Sequence, residues 1–95
     1  MYHGVTSVVP VENHKLIIGF DNGERRVFDV SPLLDQGRFR DLIPTEVFRT
    51  AHVDLDTVSW GNGLDLDPEY LYERSEVLPD SVIPKAEEKI GDGYR

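Results

Sequence analysis

Leu16-Ile17-Ile18-Gly19-Phe20-Asp21-Asn22-Gly23-Glu24-Arg25-Arg26-Val27-Phe28-Asp29-Val30 reads as a β-hairpin, and the way it turns decides the fold. Two short runs rich in β-branched and aromatic residues flank an Asp-Asn-Gly turn. A two-residue Asn-Gly loop pairs Phe20 with Arg25, Ile18 with Val27 and Ile17 with Phe28. Apolar residues then fall on both faces, and Asp21 sits opposite Glu24, a destabilising like-charge pair. A three-residue loop with Gly23 left-handed moves the register by one residue. Leu16, Ile18, Phe20, Phe28 and Val30 then share a face, with Ile17 and Val27 among polar neighbours on the other. The second register is preferred, because one clearly apolar face is what a half-buried sheet needs.

Upstream, Val5 to Val11 reads as a strand with Val5, Val9 and Val11 on one face and Ser7 interrupting it. Pro10 lacks an amide hydrogen, which places it at a sheet edge or at the strand's end. Glu12-Asn13-His14 is turn material leading into Lys15–Phe20. Downstream, Ser31-Pro32 is a helix start with serine as cap, and Gly37 closes that short helix after Leu33 and Leu34. Phe39, Leu42 and Ile43 supply apolar contacts before Pro44, and Thr45-Glu46 opens another helical turn carrying Val47 and Phe48.

Alternation predicts a second hairpin, Ala51 to Trp60, turned near Asp56-Thr57 and ended by Gly61-Asn62-Gly63. Asp67-Pro68-Glu69 is a cap, a proline and an acidic first turn, which starts a helix through Tyr70, Leu71 and Tyr72. From Ser75 the apolar residues thin out among Pro79, Pro84, Gly91, Gly93 and charges. Lys85 to Ile90 has room for only a turn or two of helix. The expectation is a small single α+β domain over residues 1–74, built from antiparallel β-hairpins and short helices, with residues 75–95 an acidic, flexible tail.

Ninety-five residues allow one domain with a thin core, and a homodimer is one way to cover leftover apolar surface. The chain has no cysteine and a net charge of −8. Disulfides, thiolate metal sites and cysteine nucleophiles are thereby excluded. Residues 1–48 carry five Lys/Arg against seven Asp/Glu, and residues 49–95 five against eleven. That balance disfavours direct nucleic-acid binding, which needs a basic surface, and suits a basic protein partner. The N-terminus has no signal-peptide pattern and no apolar run spans a membrane, so a soluble, cytoplasmic protein is expected.

Catalytic chemistry is not evident. No serine lies in a G-x-S-x-G elbow. The carboxylates Asp54, Asp56, Asp65, Asp67 and Glu69 do not follow a calcium-loop pattern, and no two histidines have zinc spacing. Gly61-Asn62-Gly63 lacks the lysine and third glycine of a phosphate loop and runs toward acids that repel phosphate. No catalytic, cofactor-binding or metal-ligating residue is therefore assigned, and no cofactor is expected. Trp60, Asn62, Asp65 and Tyr72 are candidates for an interaction surface, Trp and Tyr being favoured anchors.

The order of these motifs, from Leu16-Ile17-Ile18-Gly19-Phe20-Asp21-Asn22-Gly23-Glu24 through Phe28-Asp29-Val30-Ser31-Pro32 to Trp60-Gly61-Asn62-Gly63-Leu64-Asp65-Leu66-Asp67-Pro68-Glu69-Tyr70-Leu71-Tyr72, resembles the bacterial family known as domain of unknown function 2442. The resemblance covers about Val5 to Tyr72. It implies a small α+β fold of two hairpin-like layers in a bacterial, cytoplasmic protein, and brings no activity with it. Some relatives carry the domain ahead of a helix-turn-helix DNA-binding domain; others stand beside another small protein, as in toxin–antitoxin pairs. Only 23 residues follow Tyr72 here, too few for a helix-turn-helix domain.

Three functions are left as expectations. The first is a non-catalytic interaction module, the acidic partner of another small, basic protein in a two-gene, toxin–antitoxin-like system. The second is a small-molecule-binding or enzymatic domain, with the sheet and Trp60 forming a shallow pocket. The third is regulation of DNA only through a partner.

Overall fold

The central hairpin turns through three residues. In the computed structural model, which describes residues 3–78, Phe20 N–H donates to the Glu24 carbonyl at 2.9 Å and Gly23 N–H to the Phe20 carbonyl at 3.0 Å. Gly23 is left-handed, φ +88°, and Asn22 Oδ1 accepts from Glu24 N–H at 3.0 Å. Leu16 therefore lies opposite Phe28 and Ile17 opposite Val27. Leu16, Ile18, Phe20, Phe28 and Val30 all enter one core.

Among the described residues the strands are β1 (Val5–Val11), β2 (Lys15–Phe20), β3 (Arg25–Asp29), β4 (His52–Asp54), β5 (Thr57–Ser59), β6 (Asp65–Leu66) and β7 (Glu76–Val77). They form two antiparallel sheets, β1-β2-β3-β7 and β4-β5-β6. Short helices α1 (Thr45–Phe48) and α2 (Pro68–Arg74) and two 3-10 segments complete a small α+β domain. Val58, Trp60, Leu64 and Leu66 from the second sheet meet the first sheet's apolar face, with Leu42, Phe48 and Leu71 filling between.

Pro10 sits in an edge strand, as its missing amide hydrogen requires. The expected common face of Val5, Val9 and Val11 is not formed. The pairing shifts between Val5 and Ser7, so the extra residue at Thr6 turns the strand over. Val5 opposes Phe20 on the core side, whereas Val9 and Val11 oppose Ile17 and Lys15 on the other. Ile17 is nonetheless buried there, at 3% exposure, with Val27 half-buried beside it.

Ser31 is not a cap. Its N–H donates instead to Asp29 Oδ1 at 2.9 Å, and the segment Ser31–Leu33 is a 3-10 turn. Gly37 opens a second 3-10 segment, Gly37–Leu42, rather than simply closing the first. The turn of the second hairpin is Leu55-Asp56, one residue earlier than expected, with Asp54 paired to Thr57 and Val53 to Val58.

Gly61-Asn62-Gly63 does not end the sheet either; it turns the chain back into β6, a strand the sequence reading lacks. This loop repeats the first. Trp60 N–H donates to the Leu64 carbonyl at 2.9 Å, Gly63 N–H to the Trp60 carbonyl at 3.0 Å, and Gly63 has φ +91°. Asn62 Oδ1 accepts from Leu64 N–H at 3.1 Å, as Asn22 does at the first turn. Beyond β6, Asp67 Oδ2 accepts from the amides of Glu69 and Tyr70, so α2 starts on the predicted cap.

The first sheet continues past Ser75: Glu76 lies opposite Val27 and Val77 opposite Arg26. The predicted helical turn Lys85–Ile90 lies outside the described residues. A side chain at either glycine loop end must hold an unfavourable left-handed backbone. Gly23→Ala and Gly63→Ala are each expected to lower unfolding free energy by about 1–2 kcal/mol in urea titrations.

Candidate functional site

The structure separates the four candidate contact residues. Trp60 follows β5 and is 2% exposed; its indole Nε1–H donates to the Phe48 carbonyl at 3.0 Å. Its place is the core, where a large apolar ring is satisfied at its one polar atom. Asn62 is the middle residue of the β5–β6 loop. Its carbonyl accepts from Arg38 Nη2 at 3.1 Å, while its Nδ2 is buried without a hydrogen-bond partner among the described residues. Asp65 is exposed on β6, opposite Ser59. Tyr72 belongs to a different neighbourhood.

Tyr72, on α2, packs onto the turn of the central hairpin. The Arg26 guanidinium lies 3.9 Å from its ring centre, Phe20 meets the ring edge-on at 5.0 Å, and His3 stands 4.7 Å away. Its hydroxyl accepts from Asn22 Nδ2 at 3.3 Å. Arg26 is the hub. Its Nη1 donates to the carbonyls of Tyr72 and Ser75 at 3.2 and 3.0 Å, satisfying acceptors that the end of α2 leaves open. Its Nε donates to Glu24 Oε1 at 2.9 Å. The Arg26 hydrogen bond, then that of Tyr72, holds the Glu24 carboxyl below its ordinary pKa of 4.5.

Next to this hub two turns converge on Gly4. Asp21 Oδ2 accepts from Gly4 N–H at 3.1 Å, and His3 Nδ1 lies 3.4 Å from Asp21 Oδ1. Val5 N–H donates to the Asp56 carbonyl at 2.8 Å. A side chain at Gly4 would be crowded, since a Cβ there would lie 3.0 Å from Asp56 Cβ, which would have to give by a few tenths of an ångström. The first and second hairpin turns are thus brought to one acidic end of the molecule, with Tyr72 and His3 beside them.

Leu55 forms the tip of the second turn. It is 93% exposed and left-handed, φ +59°. Both properties are costly for leucine. Asn, Asp or Gly would hold this backbone with less strain, and burying a leucine side chain is worth about 1.5–3 kcal/mol. The sequence reading missed Leu55 by placing the turn one residue later, which left it inside a strand. Its signal was an isolated leucine between Asp54 and Asp56. Among the described residues, no three His, Asp or Glu side chains converge as metal ligands.

Trp60→Phe takes the indole donor from the buried Phe48 carbonyl, which keeps the Ala51 N–H at 3.2 Å, and shrinks a core ring, so it should cost about 1–3 kcal/mol in denaturant unfolding. Because the folded pKa of Glu24 is lowered, its contribution to stability is present above the unfolded value and is lost as pH falls through the folded one. Stability should therefore drop below about pH 4.5, and Glu24→Gln should flatten that acid limb in thermal melts at stepped pH.

Searches among curated proteins and among solved structures give no match. No described helix is long and apolar enough to cross a membrane. A family model described as "Protein of unknown function (DUF2442)" matches residues 5–76, the segment that holds β1 to β6, α2, the first residue of β7 and the Arg26–Tyr72 contact. The chain belongs to the DUF2442 family.

Proposed function

We propose that this protein is a non-catalytic interaction module that docks a protein partner through its acidic end, with Leu55 as the anchor. The observation that carries the reading is a leucine held almost fully exposed in a left-handed turn. A strained residue kept in place by the surrounding structure points to a role for it. Leu55 stands between Asp54 and Asp56 in the chain, and Asp56 and Asp21 both come close to Gly4 beside the same turn. The complementary partner surface is an apolar pocket with a basic rim, and the net charge of −8 favours approach by a basic protein. This supports the role of acidic partner in a bacterial, cytoplasmic two-gene system of the toxin–antitoxin kind.

Leu55→Asn tests the reading, because asparagine tolerates the left-handed turn and leaves the core untouched. Wild type and variant are each co-expressed with the product of the neighbouring gene, and complex formation is followed by size-exclusion chromatography. A salt-sensitive complex with wild type, lost in Leu55→Asn while the melting temperature holds or rises, is the expected result. Equal binding by the two proteins, or a wild type that stays alone, would sink the proposal.

A further inference from the structure

A second feature lies toward the other end of β1, roughly 16 Å along the strand from Val5. The β1–β2 turn faces α1 across a cleft of about 560 Å³, lined by residues 10–14 on one wall and by Thr45, Phe48 and Arg49 on the other. That volume is in the range of small-molecule sites.

The walls are tied together by His14. Its Nε2 lies 3.0 Å from the Leu42 carbonyl and 2.9 Å from the Ile43 carbonyl. Both partners only accept, so Nε2 carries the hydrogen. Its ring stands 4.8 Å from that of Phe48. His14 also ends a three-residue loop, the position filled by Gly23 and Gly63 in the other two. It is left-handed there, φ +56°, with Asn13 before it at +64°. Asn and His take this backbone more readily than most residues, and the contacts of His14 to Leu42, Ile43 and Phe48 hold the turn against the other wall.

Across the cleft stand unlike charges that do not meet. Glu12 is on the turn wall and Arg49 on the helix wall. Neither side chain has an ion-pair or hydrogen-bond partner among the described residues, and Thr45 Oγ1 has none either. An anionic ligand would meet Glu12 and the overall charge of −8; a cationic one would meet Arg49. A ligand that carries both charges satisfies both walls.

We infer that this cleft binds a small zwitterion of the amino-acid type. Its carboxylate goes to the Arg49 guanidinium and the Thr45 hydroxyl, its ammonium goes to Glu12, and its body lies against Pro10 and Val11. The site is separate from the Leu55 end and does not depend on it.

Amide chemical shifts of the full chain, followed while each standard amino acid is added singly, read the proposal directly. At least one amino acid should move the amides of Asn13, His14, Thr45 and Arg49 in a saturable way. Its N-acetyl and carboxamide forms, each lacking one charge, should bind about tenfold more weakly, as should the free amino acid to Arg49→Gln or Glu12→Gln. These exposed substitutions leave the core intact, so the melting temperature of each variant reports that it is folded. No saturable shift in the cleft with any amino acid, or binding of the blocked forms as tight as that of the free one, overturns the inference.

Discussion

The fold depends on three hairpin loops that each end in a left-handed residue. The β1–β2, β2–β3 and β5–β6 connections each turn through three residues, closed by His14, Gly23 and Gly63 at positive φ. Loop length sets register, and the side-chain period of a strand is two, so a slip of one residue would send a whole apolar set to the wrong face. Gly23 puts Leu16, Ile18, Phe20 and Phe28 toward the second sheet. Gly63 returns the chain so that Leu66 lies opposite Val58. The shared Asn-Gly ending, with the asparagine Oδ1 accepting from the second amide on, gives both loops one geometry.

Beyond the shared apolar core, directional side-chain contacts join the layers. Arg26 leaves the core side of β3 to engage Glu24, the Tyr72 ring and the last carbonyls of α2. The indole of Trp60 ties the second sheet to the end of α1. The ring of His14 ties the β1–β2 turn to the segment before α1. Long side chains with directional donors bridge elements that are too short to bury much area against one another.

Non-glycine residues are left-handed at two places the core does not need, Leu55, where the backbone is strained, and the Asn13-His14 pair, whose residue types tolerate it. They lie toward opposite ends of β1, one at an acidic tip and the other in a cleft with one acidic and one basic wall. The proposed partner protein at the first and the proposed zwitterion at the second make physically independent demands. An edge strand with a bulge at Thr6 and a proline at position 10 keeps the span between them from pairing with another chain.

The central register, the Asp67-Pro68 cap and the edge position of Pro10 were legible in the residues, because each follows from local backbone chemistry: a glycine that accepts positive φ, a carboxylate next to free amides, a ring without an N–H. The α+β class followed from the same marks. The bulge that turns Val9 and Val11 away from Val5, the strand Asp65–Leu66, and the pairing of Glu76–Val77 with β3 were not legible, since each requires a neighbour distant in sequence. The same holds for function. Trp60, Asn62, Asp65 and Tyr72 stood out by residue type, yet tertiary packing sends Trp60 inward and leaves only Tyr72 beside the acidic end. Leu55, ordinary in the sequence, became conspicuous only when the Asp54–Thr57 pairing put it at the tip of a turn. Local chemistry determined how the chain bends; only long-range packing decided which side chains remain outside.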